Sequence, residues 1–273
     1  MAEDFSVAEL VAAATAAARA AEPLLTGSTD AQAKSGHNDV VTEHDLASEE
    51  AIAAVLREVT PTARIAGEEG TAHDGGGPLT WHVDPIDGTS NYASGAPLYC
   101  ISIGATVRDE PVAGVVLDPC RHEVFVTTGA GIEVSGVPPR RPAATISEHD
   151  AVLLANFPYE GAWYDERHVD SYRVVLRRFR GIRRLGSSAL ALAWVAAGRA
   201  AAACELRTKP WDHAAGFALV RAAGGTILAF DANGNPTTSV STAACYAAAA
   251  PGFELRGSAL EQLLGTHKPT YRG

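Results

Sequence analysis

At 273 residues the chain can hold one large domain or two packed subdomains. Its 47% hydrophobic and 20% charged content is that of a soluble globular protein, and no apolar run reaches the roughly 20 residues that a membrane-spanning helix needs. A formal net charge of -10 argues against nucleic acid or an anionic membrane as the main partner, since phosphate backbones bind positive surface, but it leaves open a small anion met by a bound cation.

Ser6 and Glu9 have the spacing of a capping box, so a helix is expected from Val7 to a stop at Pro23. Residues 27–40 read as a loop. Thr42 is the expected N-cap of a second helix, in which Ile52, Val55, Leu56 and Val59 recur at helical spacing until Thr60-Pro61 ends it. Gly75-Gly76-Gly77-Pro78 reads as a mobile loop. Short β-rich runs at 81–83, 99–107, 112–117 and 123–128 are separated by Asp109-Glu110-Pro111 and Asp118-Pro119, the pattern of an antiparallel meander. A change of composition near 138–147 marks the expected boundary between a subdomain of residues 1–145 and one of 146–273. Beyond it, strands at 152–155, 181–185, 201–206, 226–230 and 245–249 alternate with helices at 163–179, 187–197, 212–223 and 258–264, so helices layer on a sheet. Cys100, Cys120, Cys204 and Cys245 are far apart and read as free thiols in a reducing compartment. The acidic opening Met1-Ala2-Glu3-Asp4 is unlike a signal peptide, and a cytoplasmic location is expected.

The densest chemistry lies in Asp84-Pro85-Ile86-Asp87-Gly88-Thr89. Two acids stand three residues apart, across a proline, at the end of an apolar run. Asp-Pro and Asp-Gly mark turns; as strand-end ligands, the same carboxylates would face one divalent ion or two, and oxygen-only donors favour magnesium or manganese. Glu68-Glu69, after Ile65-Ala66-Gly67, is either a solvated acidic loop or a second set of strand-end acids. Asp212 is placed to N-cap the following helix, and a carboxylate held there could also reach a metal. Asp45 either completes a capping box with Thr42 or partners a hydroxyl or water in a site. Thr89 either caps a helix beginning at Ser90 or presents its hydroxyl to a nucleophilic water. Arg177, Arg178, Arg180, Arg183 and Arg184 form a basic run read as a solvated or interface face. The sequence has no zinc helix motif, Ser-centred nucleophile elbow or P-loop.

In order and spacing, these elements resemble the inositol monophosphatase family of magnesium-dependent, lithium-sensitive phosphatases. The matching elements are Gly67-Glu68-Glu69, Asp84 through Thr89, Trp211-Asp212 running to Gly224-Gly225, and, upstream, Lys34 with Val41-Thr42-Glu43-His44-Asp45. They span about residues 5–265. Ser94 stands where the family commonly has histidine, and Ser135 where asparagine–glycine is usual. The resemblance implies an α/β fold, a layered αβαβα sandwich. Its N-terminal sheet would be mixed or antiparallel and carry most metal ligands. Its C-terminal α/β part would carry Asp212 and the substrate contacts. Glu68, Asp84 and the carbonyl of Ile86 would hold one magnesium ion. Asp84, Asp87 and Asp212 would hold a second, and Glu68 would help a looser third, with manganese a substitute. Thr89, supported by Asp45, would orient and deprotonate the attacking water, so Thr89, Asp45 and Glu68 form the catalytic set. Asp87, Asp212 and the amides of Gly88 and Thr89 would meet the substrate's phosphate end. Gly186, Ser187, Ser188 and Glu205 fall where the family contacts the hydroxyl-bearing part. A homodimer is usual in the family.

The reaction so implied is hydrolysis of a small phosphorylated metabolite by metal-activated water, with inositol-1-phosphate leading. Sibling substrates are histidinol phosphate, a biosynthetic sugar phosphate, fructose 1,6-bisphosphate and adenosine 3′,5′-bisphosphate. A third class is an interaction protein that kept the fold without the activity. Each carboxylate–phosphate charge pair costs about 4 kcal/mol at 4 Å with an effective dielectric near 20, more than a hydrogen bond returns, so the acids and the anion require a cation between them.

Overall fold

A computed structural model describes the chain except for residues 1–4, 26–31, 37–38, 42, 136–138, 140–144, 158–165 and 267–273. Helix α1 (Val7–Ala21) starts at the expected capping box: Ser6 N donates to Glu9 Oε2 at 2.8 Å, and Glu9 N to Ser6 Oγ. It passes into a single 3-10 turn at Glu22–Leu24 that accommodates Pro23. Within the segment read as a loop lies an antiparallel hairpin, β1 (Gln32–Gly36) and β2 (Asp39–Val41). Neither strand alternates apolar and polar residues, so the usual period-two signal is missing. Thr42 lies outside the described residues, and α2 spans Glu43–Val59. Ile52, Ala53 and Leu56 form its buried face; Val59, expected on that face, is exposed.

The first large sheet contains β3 (Arg64–Gly67), β4 (Ala72–His73), β5 (Leu79–Asp87), β6 (Cys100–Val107), β7 (Glu110–Asp118), β8 (Glu123–Thr128) and β9 (Gly131–Val134), in spatial order β4-β3-β5-β6-β7-β8-β9. From β5 onward it is the expected antiparallel meander; β3 joins β5 in parallel. The Gly75–Pro78 segment is packed rather than splayed. Gly77 N donates to Thr62 O at 2.9 Å, and a Cβ on Gly75 would lie 2.4 Å from the Thr62 backbone.

The second sheet contains β10 (Val152–Ala155), β11 (Gly181–Arg183), β12 (Ala202–Glu205), β13 (Thr226–Phe230), β14 (Pro236–Thr237) and β15 (Cys245–Ala249), in order β11-β10-β12-β15-β13-β14. β10 pairs in parallel with both neighbours and the rest are antiparallel. Its helices are α4 (Glu166–Arg178), α5 (Ser188–Ala196), α6 (Pro210–Ala222) and α7 (Ala259–Thr266); a short α3 (Thr89–Ser94) follows β5.

The five layers of the expected αβαβα sandwich follow from which helix faces are apolar. α1 and α2 cover one face of the first sheet, α5 and α6 fill the space between the sheets, and α4 and α7 cover the outer face of the second. A helix buried between two sheets must be apolar all round, and seven of the nine residues of α5 are buried. Close approach of α6 depends on a pair of cross-strand glycines. Gly104 on β6 is in register with Gly114 on β7. A Cβ on either would fall within 2.4 Å of the Ala215 backbone. The small residues make a slot for α6, and that slot sets the position of Asp212.

Two expected helix starts shift by a few residues. Lys209, not Asp212, is the N-cap of α6: Pro210 takes the first helical position, where its missing N–H is harmless, leaving Asp212 third. Gly88, not Thr89, is the N-cap of α3. Four cysteines are free, three of them buried. No described helix is long and apolar enough to cross a membrane.

Candidate active site

The parallel pairing of β3 with β5 brings the first acids together. Gly67 is in register with Val83, so Glu68 and Asp84 are the next residues on neighbouring strands, and Glu68 N donates to Val83 O at 3.1 Å. The pairing of β5 with β6 shifts register between Asp84 and Asp87, at Pro85, which has no N–H to give the ladder. Ile86 N turns instead to Asp84 Oδ1 at 3.0 Å. Asp84 is 2% exposed and Asp87 8%.

Asp87 accepts from Ser187 Oγ at 2.7 Å, Ser188 N at 3.2 Å and Ala189 N at 2.5 Å. The amides belong to the first turn of α5, which has no intrahelical partners for them. Asp87 therefore caps a helix a hundred residues away and ties the first sheet to the central layer. The Ser187 hydroxyl, expected near the substrate, points to Asp87 and also receives Leu190 N at 3.2 Å. Gly88 has φ +102°, and a Cβ there would lie 2.9 Å from Leu98 O, so only glycine turns the chain here. The Thr89 hydroxyl lies 3.2 Å from Asp45 Oδ1 and 3.0 Å from Ile86 O. Asp45 sits in the first turn of α2, wholly buried.

Asp212 enters from α6. Its Oδ2 accepts from Lys209 N at 2.7 Å and from Thr208 Oγ1 at 3.3 Å, and Ser102 Oγ holds the preceding Trp211 carbonyl at 3.3 Å. Burial, and then the charge of Asp87, push the Asp212 carboxyl up to about 8. Burial, followed by Glu68, Asp87, Asp212 and Asp45, holds Asp84 well above the usual carboxylate range. Burial also raises Asp87, against the lowering effect of its bonds to Ser187 and α5.

Among the described residues, no three His, Cys, Asp or Glu side chains converge as tightly as ligands around a bound ion. The acids are held by their own bonds, Asp87 to α5 and Asp212 to Lys209. Their chemistry nevertheless fits a divalent cation. The donors are all oxygen, Asp84 and Asp87 are buried, and neighbouring acids help drive Asp84 and Asp212 toward protonation, a condition that a shared positive charge relieves.

Three supporting residues escaped the sequence reading. Glu49, wholly buried on α2, accepts from Glu69 N at 2.8 Å and Thr71 N at 2.7 Å, so it braces the turn that carries Glu68. A Cβ on Gly67 would lie 2.4 Å from the Glu49 carboxylate, which is why that strand ends in glycine. Glu49 lies four residues after Asp45 and three before Ile52, so helical spacing alone places it on the buried face. Asn156, just past β10, gathers three expected substrate residues: its side chain accepts from Gly186 N at 2.7 Å and donates to Ser188 Oγ at 3.3 Å, and its backbone N donates to Glu205 Oε1 at 3.1 Å. Tyr246 is the third. It is wholly buried, and burial, then Glu205, Asp212 and Asp87, push its phenol well above the usual range.

Fold and site together define a layered α/β protein in which buried Asp84 and Asp87, at the end of β5, are joined by the charges of Glu68 and of Asp212 on α6. The chain belongs to the inositol monophosphatase family, whose sequence profile matches residues 3–264. A Pseudomonas aeruginosa protein named Nus factor SuhB is 38% identical over 198 residues, covering 70% of this chain and 73% of that one. A Synechocystis inositol-1-monophosphatase is 35% identical over 205 residues, covering 73% and 70%. The solved structure of an inositol monophosphatase from Anabaena covers 95% of both chains with a TM-score of 0.76 at 29% identity.

Proposed function

We propose that the chain is a magnesium-dependent phosphomonoesterase acting on a small polyhydroxylated monophosphate, with inositol-1-phosphate the leading candidate. The observation that carries this reading is the convergence of the charges of Glu68, Asp87 and Asp212 on buried Asp84, beside the Thr89–Asp45 pair. Glu68, Asp84 and the Ile86 carbonyl would hold one cation, Asp84, Asp87 and Asp212 a second, and Glu68 a looser third, with manganese able to replace magnesium. Bound there, the cations would supply positive charge to the phosphoryl oxygens and acidify the attacking water.

The remaining work belongs to the chain's own groups. Asp45 accepts from the Thr89 hydroxyl, which leaves the Thr89 oxygen free to take a hydrogen bond from the water, with Asp45 placed to draw the proton onward. The Gly88 and Thr89 amides would orient the phosphate. Glu205, held by Asn156, would accept from substrate hydroxyls, and its charge would repel a second phosphate. Net charge, family and the absence of a membrane-spanning helix among the described residues support a cytoplasmic homodimer without nucleic acid as its main partner.

Phosphate release from inositol-1-phosphate, histidinol phosphate, fructose 1,6-bisphosphate and adenosine 3′,5′-bisphosphate tests the reading. The polyol ester should be cleaved at least about tenfold more efficiently than the adenosine ester, a difference of about 1.4 kcal/mol. Millimolar lithium should inhibit. Preference for the adenosine bisphosphate would overturn the role given to Glu205. The relatives named Nus factor favour a second reading, a place in a protein assembly; a wild-type protein inactive on the whole panel would move the weight to it.

A further inference from the structure

Tyr246 on β15 is the register partner of Glu205 on β12. Directly opposed residues of an antiparallel pair project from the same face, with Cβ atoms about 5 Å apart. The Tyr246 ring is fixed on two sides by α6. It stands edge-on to Phe217, with centroids 5.2 Å apart at 88°, and 6.0 Å from the ring of His213, the neighbour of Asp212. The hydroxyl is different: wholly buried, it has no hydrogen-bond partner among the described residues. An unsatisfied buried hydroxyl costs about 1–3 kcal/mol, and phenylalanine would keep the ring packing without it. The packing therefore does not account for the oxygen. What surrounds it does, because Glu205, Asp212 and Asp87 all act on the phenol, and a protonated phenol among carboxylates is a donor.

We propose that Tyr246 is a positioning residue for substrate choice, its hydroxyl donating to the Glu205 carboxylate when substrate is bound and fixing that carboxylate toward the substrate's hydroxyls. This rests on the phosphatase reading above. Glu205 is already held on one oxygen by Asn156 N at 3.1 Å. A second donor from across the sheet narrows its orientations further, so less rotamer freedom is lost when the hydroxyls arrive. Because Tyr246 acts through Glu205, it bears on the alcohol part of the ester and not on the phosphoryl group.

The experiment compares wild type, Y246F, E205Q and the double variant, as full-length proteins with magnesium, on inositol-1-phosphate and on phenyl phosphate, which has no hydroxyls to recognise. For Y246F, the ratio of kcat/KM for inositol-1-phosphate to that for phenyl phosphate should fall about five- to tenfold, mainly through KM, the effect of losing one hydrogen bond. In the E205Q background, adding Y246F should move the ratio less than about twofold, the coupling expected of residues that act as one unit. Without metal or substrate, Y246F should melt no lower than wild type, since the removed hydroxyl was unbonded. An unchanged ratio in Y246F, an undiminished drop in the E205Q background, or a lowered metal-free melting temperature would each overturn the proposal. Wild-type protein that cleaves neither ester would overturn the phosphatase reading, and this proposal with it.

Discussion

The protein buries acids in two contrasting ways. Glu123 on β8 is nearly covered, but both of its oxygens meet Arg199, at 2.6 Å each, and the guanidinium lies 5.1 Å from the centre of the Phe125 ring. Asp118, wholly buried, is likewise met by Arg121 at 2.9 Å. At the end of β5, Asp84 instead feels the like charges of Glu68, Asp87, Asp212 and Asp45. None of the described ion pairs includes Asp84, Asp87 or Asp212. The first arrangement is complete within the chain and holds the fold. In the second, no described ion pair reaches Asp84, Asp87 or Asp212, the arrangement that the proposed cations would complete. Burial of charge thus separates structural acids from functional ones once the partner is considered.

The largest expected effect breaks the second arrangement. Asp84→Asn should lower kcat/KM by about a thousandfold or more, roughly 4 kcal/mol of lost transition-state stabilisation. In chelator it should not lower the melting temperature, because it removes a repelled charge and asparagine can still accept from Ile86 N. Steady-state kinetics and thermal unfolding on the same preparation check both halves. Breaking the first arrangement should do the reverse. Arg199→Met leaves Glu123 without its counter-charge, and with the pair's side chains 24% and 8% exposed the loss should be about 2–3 kcal/mol of stability, discounted for partial solvent screening. Its activity should stay within severalfold of wild type.

Glu49→Gln falls between the two. Gln keeps one acceptor oxygen for the turn at Glu69–Thr71 and presents an NH2 where the other was. Stability should fall by about 1 kcal/mol, and half-saturating magnesium should rise about tenfold, as for other residues that orient metal ligands. A magnesium titration of activity reads this directly; unaltered half-saturation would remove Glu49 from the support of Glu68.

The smallest effect sharpens the comparison through pH. In metal-free protein the folded pKa of Asp212, about 8, lies above its unfolded value, so the unfolded state binds fewer protons between about pH 4 and 8, and stability falls as pH rises through that window. His82 and His213 run the other way: held neutral, with pKa pushed down to about 4 and about 3, they lose stability as pH drops below about 6.5. The stability difference between Asp212→Asn and wild type in chelator cancels the histidines. It should favour the variant increasingly from pH 4 to 8. A difference independent of pH would contradict the raised carboxyl of Asp212.

How much of this was legible in the sequence follows from the range of the interactions. The capping box at Ser6, the meander and the alternation after residue 150 depend on neighbours a few positions apart, and they were readable. Asp84, Asp87 and Glu68 were readable as candidates because acids at the ends of apolar runs stand out, and Asp212 because it opens a helix. Asp212 was misplaced as an N-cap although Pro210 signalled the true helix start. The β1–β2 hairpin carried no alternation to find. Asn156 and Tyr246 were invisible for a different reason: their meaning lies in strand register with partners dozens of residues away, which no local pattern encodes. Likewise Gly104 and Gly114 read as weak points in strands until α6 is laid across them.

Completion of the acids at the end of β5 by divalent cations can be read directly from metal binding. Titration of the metal-free protein with manganese, followed by electron paramagnetic resonance, counts bound ions without any assay of turnover. Wild type should bind at least two per chain in the sub-millimolar to millimolar range, and Asp84→Asn should lose most of that binding while Arg199→Met keeps it. Wild-type protein that binds no manganese at millimolar concentration, or Asp84→Asn that binds as wild type does, would contradict it.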